Sequence, residues 1–214
     1  MRPVPRRTLL ATLVALPILT QAVLSRADTA PGAGAGPFID KLVNSALGVL
    51  AQKGLSLQQR EQRFDQLLTE NFDIPRIARF VLGRYWRTAS PADRQKFVDV
   101  YRDFIVQSYG ARFSEYSGET VKVTAARPET ATTTIVSSEI IHPNGDPPVK
   151  VQWRVRQETN GYKIIDVGVE GVSMMLTQRE EFASVIEHNG GTVAALTQLI
   201  DRKLHSGDLS LGGG

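Results

Sequence analysis

The sequence contains no cysteine and only three histidines. Without cysteine the chain can form neither disulfides nor thiolate metal sites, so its stability must come from a hydrophobic core. His142, His188 and His205 are widely separated, and none has the spacing to another histidine or an acid that metal ligands require. The composition therefore predicts no metal site.

Long hydrophobic runs are also scarce, and the clearest one lies near the amino terminus. Residues 9–19 follow three arginines, are interrupted by Pro17, and are too short to span a bilayer comfortably. Small residues precede Ala27 at the spacing of a cleavage site. We therefore expect residues 1–27 to be an export signal cleaved near Ala27. The paired arginines leave the twin-arginine route open beside ordinary export, which is favoured.

A strongly basic charge is lacking once this signal is removed. The full chain has a formal net charge of +3, but residues 1–27 hold four arginines and no acid. The remainder has 21 basic and 22 acidic residues, a net charge of −1. A net charge of this sign gives no overall attraction to nucleic acid, so no nucleic-acid partner is expected.

The remaining chain is long enough for one domain, and 42% of the full sequence is hydrophobic. We expect this domain over residues 38–205. A flexible leader rich in Gly, Ala and Pro precedes it at 28–37, and a disordered tail follows at 206–214.

Helix signals stand at both ends of this domain. Asp73 and Ser90 are typical N-caps, and the helix after Ser90 is predicted to run to about Phe113. Thr177 and Glu180 have the spacing of a capping box that opens a later helix. The predicted helices span residues 38–51, 57–68, 74–82, 91–113, 178–187 and 192–203.

Between these helices the pattern changes to strict alternation. Val149, Val151, Trp153 and Val155 point to one side, which predicts a strand with one dry face. Asn160–Gly161 is typical of a tight hairpin turn. Helices, then neighbouring antiparallel strands, then helices indicate an α+β domain. The predicted strands span residues 120–126, 132–141, 149–156 and 162–170.

Several separated segments resemble the MlaC or toluene-tolerance family, the periplasmic auxiliary proteins of phospholipid transport systems. They are VLGRYWRTASP at 81–91, WRVRQETNGYKIIDVGVEGVSMMLTQREEF at 153–182, and the shorter SVI at 184–186 and NGG at 189–191. The resemblance covers about residues 38–203 in order, which makes it far more specific than one short motif.

The resemblance implies a monomeric periplasmic carrier that buries the acyl chains of one phospholipid between a curved antiparallel sheet of about four strands and its covering helices. It implies shuttling between an outer-membrane lipoprotein complex and an inner-membrane ABC transporter that bears an MCE-domain subunit. This would maintain outer-membrane lipid asymmetry. No enzyme activity, metal or cofactor is implied. Another membrane lipid, such as a hopanoid, stays open as the cargo.

The predicted acyl-chain lining lies on the dry face of the sheet, at its exit and on the long helix. The same periodicity fits ordinary core packing, and a bulge after the hairpin would invert which residues of the second strand face inward. The predicted lipid-binding residues are Tyr101, Phe104, Ile105, Val151, Trp153, Val155, Ile165, Val167, Val169, Val172, Met174 and Met175.

An arginine-rich segment follows the third predicted helix start. Arg76, Arg79, Arg84 and Arg87 are predicted to dock on an acidic partner. Binding of lipid phosphate or of a membrane surface would use the same residues. Ordinary surface ion pairs are the simplest alternative.

Two other functions stay open at this point. Asp166 and Glu170, four residues apart on a predicted strand, would share a face with Tyr162 and Ile164, where a carboxyl group could act as a general base in an enzyme. A lipid-free adaptor docked on a transporter through the arginine-rich segment is the other.

Overall fold

The structure is a computed structural model that describes residues 32–52, 54–110 and 116–210. The predicted export signal lies outside these residues. Helices precede and follow a single antiparallel sheet, so the predicted α+β class is confirmed. In chain order the elements are α1 (Ala35–Leu50), α2 (Leu57–Asn71), α3 (Ile74–Leu82), α4 (Tyr85–Thr88), α5 (Pro91–Gly110), β1 (Thr120–Pro128), β2 (Thr133–Ile141), β3 (Val149–Glu158), β4 (Gly161–Val169), β5 (Val172–Ser173), α6 (Met174–His188) and α7 (Val193–Ser206).

Two predicted helix starts are confirmed in atomic detail. The Asp73 side chain accepts a hydrogen bond from the backbone N–H of Arg76 at 3.1 Å, which caps α3. The Ser90 hydroxyl accepts one from the backbone N–H of Asp93, also at 3.1 Å, which caps α5. Both caps satisfy backbone donors that a helix leaves unpaired. The predicted end of α5 near Phe113 lies outside the described residues.

The predicted start of α6 is wrong by one turn. The helix begins at Met174, and the Ser173 hydroxyl caps it by accepting a hydrogen bond from the backbone N–H of Leu176 at 3.2 Å. Thr177 lies inside the helix, where its hydroxyl donates to the Ser173 carbonyl at 3.1 Å. Ser173 takes the capping role because the chain turns out of β5 at that residue.

The first helix also begins earlier than its spacing predicts. It starts at Ala35, which is fully buried. The backbone N–H of Gly34 donates to the Tyr162 hydroxyl at 3.2 Å, which attaches the chain before α1 to β4. At the other end, Leu209 packs against the helices beyond the end of α7.

The sheet has the order β1-β2-β3-β4-β5, and every neighbouring pair is antiparallel. The four predicted strands are confirmed. The fifth strand has only two residues, too few for an alternation pattern. A tight turn at Glu170 and Gly171, both with positive φ, returns the chain from β4 to β5.

A β-bulge in β4 changes which residues share a face. Val155 of β3 lies opposite Ile164, whereas Arg154 lies opposite Asp166, so Ile165 is an extra residue without a partner. The bulge coincides with a contact outside the sheet, because the Ile164 carbonyl accepts a hydrogen bond from the backbone N–H of Asp73 at 3.0 Å. Asp166 therefore lies on the opposite face from Ile164, and the predicted shared face is wrong.

The buried residues form two clusters rather than one. The helical core is built by α3, α5, α6 and α7 together with Leu68 of α2, and Tyr101 and Phe182 are fully buried inside it. The sheet core lies between α1 and the sheet and includes Ile39, Val155 and Ile164. Phe72, just after α2, packs against both. None of the described helices is long and apolar enough to cross a membrane.

Candidate functional site

A pocket lies where the helical core meets the sheet, and we call it the seam pocket. Its volume is about 180 Å³, and almost all of its lining is apolar. Ligand sites for drug-sized molecules commonly have about 300–1,000 Å³, so the seam pocket has room for part of an acyl chain. Its lining residues are Phe64, Leu68, Phe72, Ile77, Tyr101, Ile105, Tyr109, Val167, Met174, Met175 and Gln178.

The second helix supplies one wall of the seam pocket. Phe64 and Leu68 are four residues apart in α2, and Phe72 follows after four more, so all three face the same side. The ammonium group of Lys163 in β4 donates to the carbonyl of Glu70 at 2.6 Å, near the carboxyl end of α2. This contact joins the helix end to the sheet and complements the helix dipole.

Tyr101 and Gln178 are hydrogen-bonded to each other within the seam pocket. The Tyr101 hydroxyl donates a hydrogen bond to Oε1 of Gln178 and lies 3.9 Å from the sulfur of Met175. Burial raises the pKa of Tyr101 well above its usual value, with smaller contributions from Tyr109 and Asp166. The hydroxyl therefore stays protonated and serves as a donor in an otherwise apolar site.

Five of the twelve predicted lipid-binding residues line the seam pocket. They are Tyr101, Ile105, Val167, Met174 and Met175. Apart from Met1, the two methionines are the only ones in the chain. Their unbranched side chains adapt readily to irregular apolar ligands.

The other predicted residues lie elsewhere. Phe104 packs in the helical core, with its ring centroid 6.5 Å from that of Phe182. Trp153 and Val155 belong to the sheet core, where the Trp153 indole N–H donates to the Ser138 hydroxyl at 2.9 Å.

Two more lie at the sheet exit, one is buried in β3, and one lies at the bulge in β4. Val169 and Val172 are exposed at the turn into β5, and Val151 is buried. The bulge directs Ile165 to a crevice of about 210 Å³ on the other face of the sheet. A role in lipid binding stays a prediction for all twelve.

The pocket residues contributed by α2 escaped the sequence analysis although a signal was present. The spacing of Phe64, Leu68 and Phe72 is that of one helix face. Ile77 and Gln178 carry no such signal, because only the packing of α3 and α6 brings them to the seam.

The four predicted docking arginines gather around one surface depression, which we call the arginine hollow. It has a volume of about 590 Å³. A fifth arginine, Arg179 of α6, also lines the hollow, although it is far from the other four in the sequence. The docking role of these residues stays a prediction. The lining consists of Arg76, Arg79, Phe80, Gly83, Arg84, Arg87 and Arg179.

The two candidate catalytic acids have structural partners. The Asp166 carboxylate accepts hydrogen bonds from the Ser173 hydroxyl at 2.7 Å and from the backbone N–H of Met175 at 3.3 Å. Glu170 accepts one from the backbone N–H of Lys150 at 2.5 Å. Both acids thus stabilise the turn from β4 through β5 into α6. Within the described ranges, no three His, Asp or Glu residues are grouped as metal ligands would be.

An antiparallel sheet with helices packed over it, and an almost wholly apolar pocket where the two meet, is the architecture of an α+β domain that binds an apolar ligand. The family model described as MlaC protein matches residues 40–201. The chain therefore belongs to the MlaC family, and the resemblance found in the sequence is confirmed.

Individual relatives agree with this assignment. The toluene tolerance protein ttg2D of Pseudomonas putida is 24% identical over 190 residues, covering 86% of this chain and 84% of that protein. The intermembrane phospholipid transport system binding protein MlaC of Haemophilus influenzae is 25% identical over 113 residues, covering 51% and 53%. A phospholipid-binding protein from Ralstonia solanacearum, solved in complex with a phospholipid, is 26% identical with a TM-score of 0.72, covering 81% of this chain and 98% of its own.

Proposed function

We propose that this protein is a periplasmic carrier that binds one phospholipid at a time, as a monomer, with its acyl chains in the seam between the helices and the sheet. The observation that carries the proposal is the apolar seam pocket in a chain of the MlaC family. A structural neighbour that holds a phospholipid supports the choice of ligand.

The physical need for such a carrier follows from the hydrophobic effect. Each methylene group that leaves an apolar environment for water costs about 0.8 kcal/mol. A lipid with two long chains therefore crosses an aqueous compartment extremely slowly by itself. A protein that surrounds the chains with apolar side chains removes most of this barrier without any covalent chemistry.

The volume of the seam pocket sets a condition on the mechanism. An apolar cavity of about 150 Å³ accommodates one benzene-sized molecule, so about 180 Å³ is far too small for two acyl chains. Lipid entry therefore requires the helices to move away from β4. The interior is divided into two cores with Phe72 packed against both, and this division favours separation along the seam.

The proposal extends to the partners that load and unload the carrier. One would be an outer-membrane lipoprotein complex, and the other an inner-membrane ABC transporter with an MCE-domain subunit. The support is similarity to the Haemophilus influenzae protein, whose name assigns it to an intermembrane phospholipid transport system. In this setting the carrier would maintain the lipid asymmetry of the outer membrane.

The direct test is native mass spectrometry of the protein purified from its own cells, followed by lipid extraction and identification. We expect one phospholipid for each protein molecule. A hopanoid as the main cargo would keep the carrier function and change its substrate. A protein that carries no lipid from cells, and that takes up none from phospholipid vesicles, would contradict the proposal.

A further inference from the structure

The arginine hollow has an unusual charge distribution. Five arginine side chains line it, from α3, from α4 and its N-cap, and from α6, and no acidic side chain does. Arg76 pairs with Asp73 at 2.8 Å, and Arg84 contacts Glu187. The remaining three, Arg79, Arg87 and Arg179, have no carboxylate partner within the part of the chain that the structure describes. Three positive charges therefore face one concave surface without compensation.

The guanidinium group of Arg179 is held in place by the walls of the hollow. It lies over the Phe80 ring, with its central carbon 5.2 Å from the ring centroid, as in a cation–π contact. It also packs against Gly83, where an added Cβ would lie only 2.9 Å from Nε of Arg179. An arginine fixed in this way loses little conformational entropy when it binds an anion.

The arginine hollow and the seam pocket are linked by residues that line more than one pocket. Arg76 and Phe80 line both the hollow and the neighbouring crevice of about 210 Å³. Met175 in turn lines both this crevice and the seam pocket. The buried Met175 side chain therefore lies between the seam pocket and the crevice beside the hollow.

We propose that the arginine hollow binds the phosphate-bearing head group of an anionic phospholipid whose acyl chains occupy the seam. This proposal rests on the proposed carrier function. Arginine guanidinium groups match phosphate oxygens in charge and in hydrogen-bond geometry. A head group with a net negative charge uses the uncompensated arginines fully. A zwitterionic head group brings its own cation and loses part of this attraction.

The test compares two lipids with identical acyl chains, phosphatidylglycerol and phosphatidylcholine, in competition for the delipidated protein. Native mass spectrometry measures the ratio of the two bound species. We expect the wild-type protein to prefer the anionic lipid roughly tenfold. We expect this preference to shrink as salt is added, because the arginines are exposed.

A double variant, Arg79→Gln with Arg179→Gln, tests the residues themselves. It should lose most of the preference for phosphatidylglycerol, with a smaller loss of phosphatidylcholine binding. The matched control is Arg63→Gln with Arg202→Gln, which removes two exposed helical arginines outside the hollow. This control should keep the wild-type preference.

The outcomes separate the head-group site from the carrier function. A wild type that binds both lipids equally well overturns the head-group site and leaves the carrier intact, whereas a wild type that binds neither overturns both. Glycerol 3-phosphate and anionic vesicles serve as two further probes. If the double variant loses binding to either probe while its lipid ratio stays that of the wild type, the hollow takes free phosphate or a membrane surface, and the head-group assignment is wrong.

Discussion

The Asp166 carboxylate accepts a hydrogen bond from the Ser173 hydroxyl at 2.7 Å, across the tight turn between β4 and β5. The same carboxylate accepts the backbone N–H of Met175 in the first turn of α6 and lies 3.4 Å from Nη1 of Arg154. These three partners explain the burial of Asp166 by a structural role. It orients the helix that carries both methionines of the seam pocket.

We therefore predict that Asp166→Ala destabilises the fold. The substitution leaves the Ser173 hydroxyl and the Met175 N–H without their acceptor, which costs about 1–3 kcal/mol for buried donors. Urea unfolding measures the change. Asp40→Asn, at an exposed position in α1, is the control and should stay within about 0.5 kcal/mol of the wild type. Equal stability of Asp166→Ala and the wild type would contradict the structural role.

A second prediction concerns stability at high pH. Burial raises the pKa of Tyr101 in the folded protein, whereas the unfolded chain titrates near 10. Above pH 10 the unfolded state releases a proton that the folded state keeps, so the free energy of unfolding falls by about 1.4 kcal/mol per pH unit from this group.

The check is a comparison of wild type with Tyr101→Phe in urea at pH 9, 10 and 11. The variant loses the hydrogen bond to Gln178 and is less stable at pH 9, but we expect the difference to shrink as the pH rises, since Phe does not titrate. A difference that stays constant from pH 9 to pH 11 would show that Tyr101 ionises normally in the folded protein.

Val167 gives the sharpest test of the seam. This side chain lines the seam pocket and is only partly buried, so Val167→Arg should fold. An arginine there occupies the pocket and places a charge against the acyl chains, so we expect phospholipid occupancy to fall about tenfold or more. Native mass spectrometry gives the occupancy.

Its matched control is Val123→Arg on β1, which packs on the sheet core and does not line the seam pocket. This variant should keep its lipid. Unfolding of Val167→Arg alone would assign the position to plain core packing. Equal lipid loss in both variants would contradict the seam pocket as the site of the acyl chains.

Gly83 provides a test of how Arg179 is held. Its φ of 51° and its contact with Arg179 both disfavour a side chain, so Gly83→Ala should lower stability by about 1 kcal/mol or more. Gly48→Ala, at an exposed helical position with nothing within 4 Å, should instead raise stability by about 0.5–1 kcal/mol. Urea midpoints give both signs, and a neutral Gly83→Ala would show that Arg179 moves aside freely.

The elements of this fold were largely predictable because their signals are local. The caps at Asp73 and Ser90 act within three residues, and the alternation in β3 reports directly on a half-buried strand. The start of α6 was missed because Thr177 and Glu180 have the spacing of a capping box. The path of β5 places the cap at Ser173 instead, one turn earlier.

The candidate site was less predictable because it depends on contacts between distant segments. The family could be identified from the sequence, as could five residues of the seam pocket, because motifs and periodicity depend only on the order of residues along the chain. The inward face of β4 could not be predicted from the sequence. The bulge at Ile165 coincides with a hydrogen bond from the backbone N–H of Asp73 to the carbonyl of Ile164, which is 91 positions away in the chain.

The sequence by itself determined the class of fold, the family and the arginine-rich segment, all of which follow from the order and spacing of neighbouring residues. The tertiary structure alone decided that Arg179 joins Arg79 around one hollow and that α2 forms a wall of the seam pocket. The physical reason is that packing joins residues whose separation along the chain carries no signal. Charge and apolar surface become a site only where the fold brings them together.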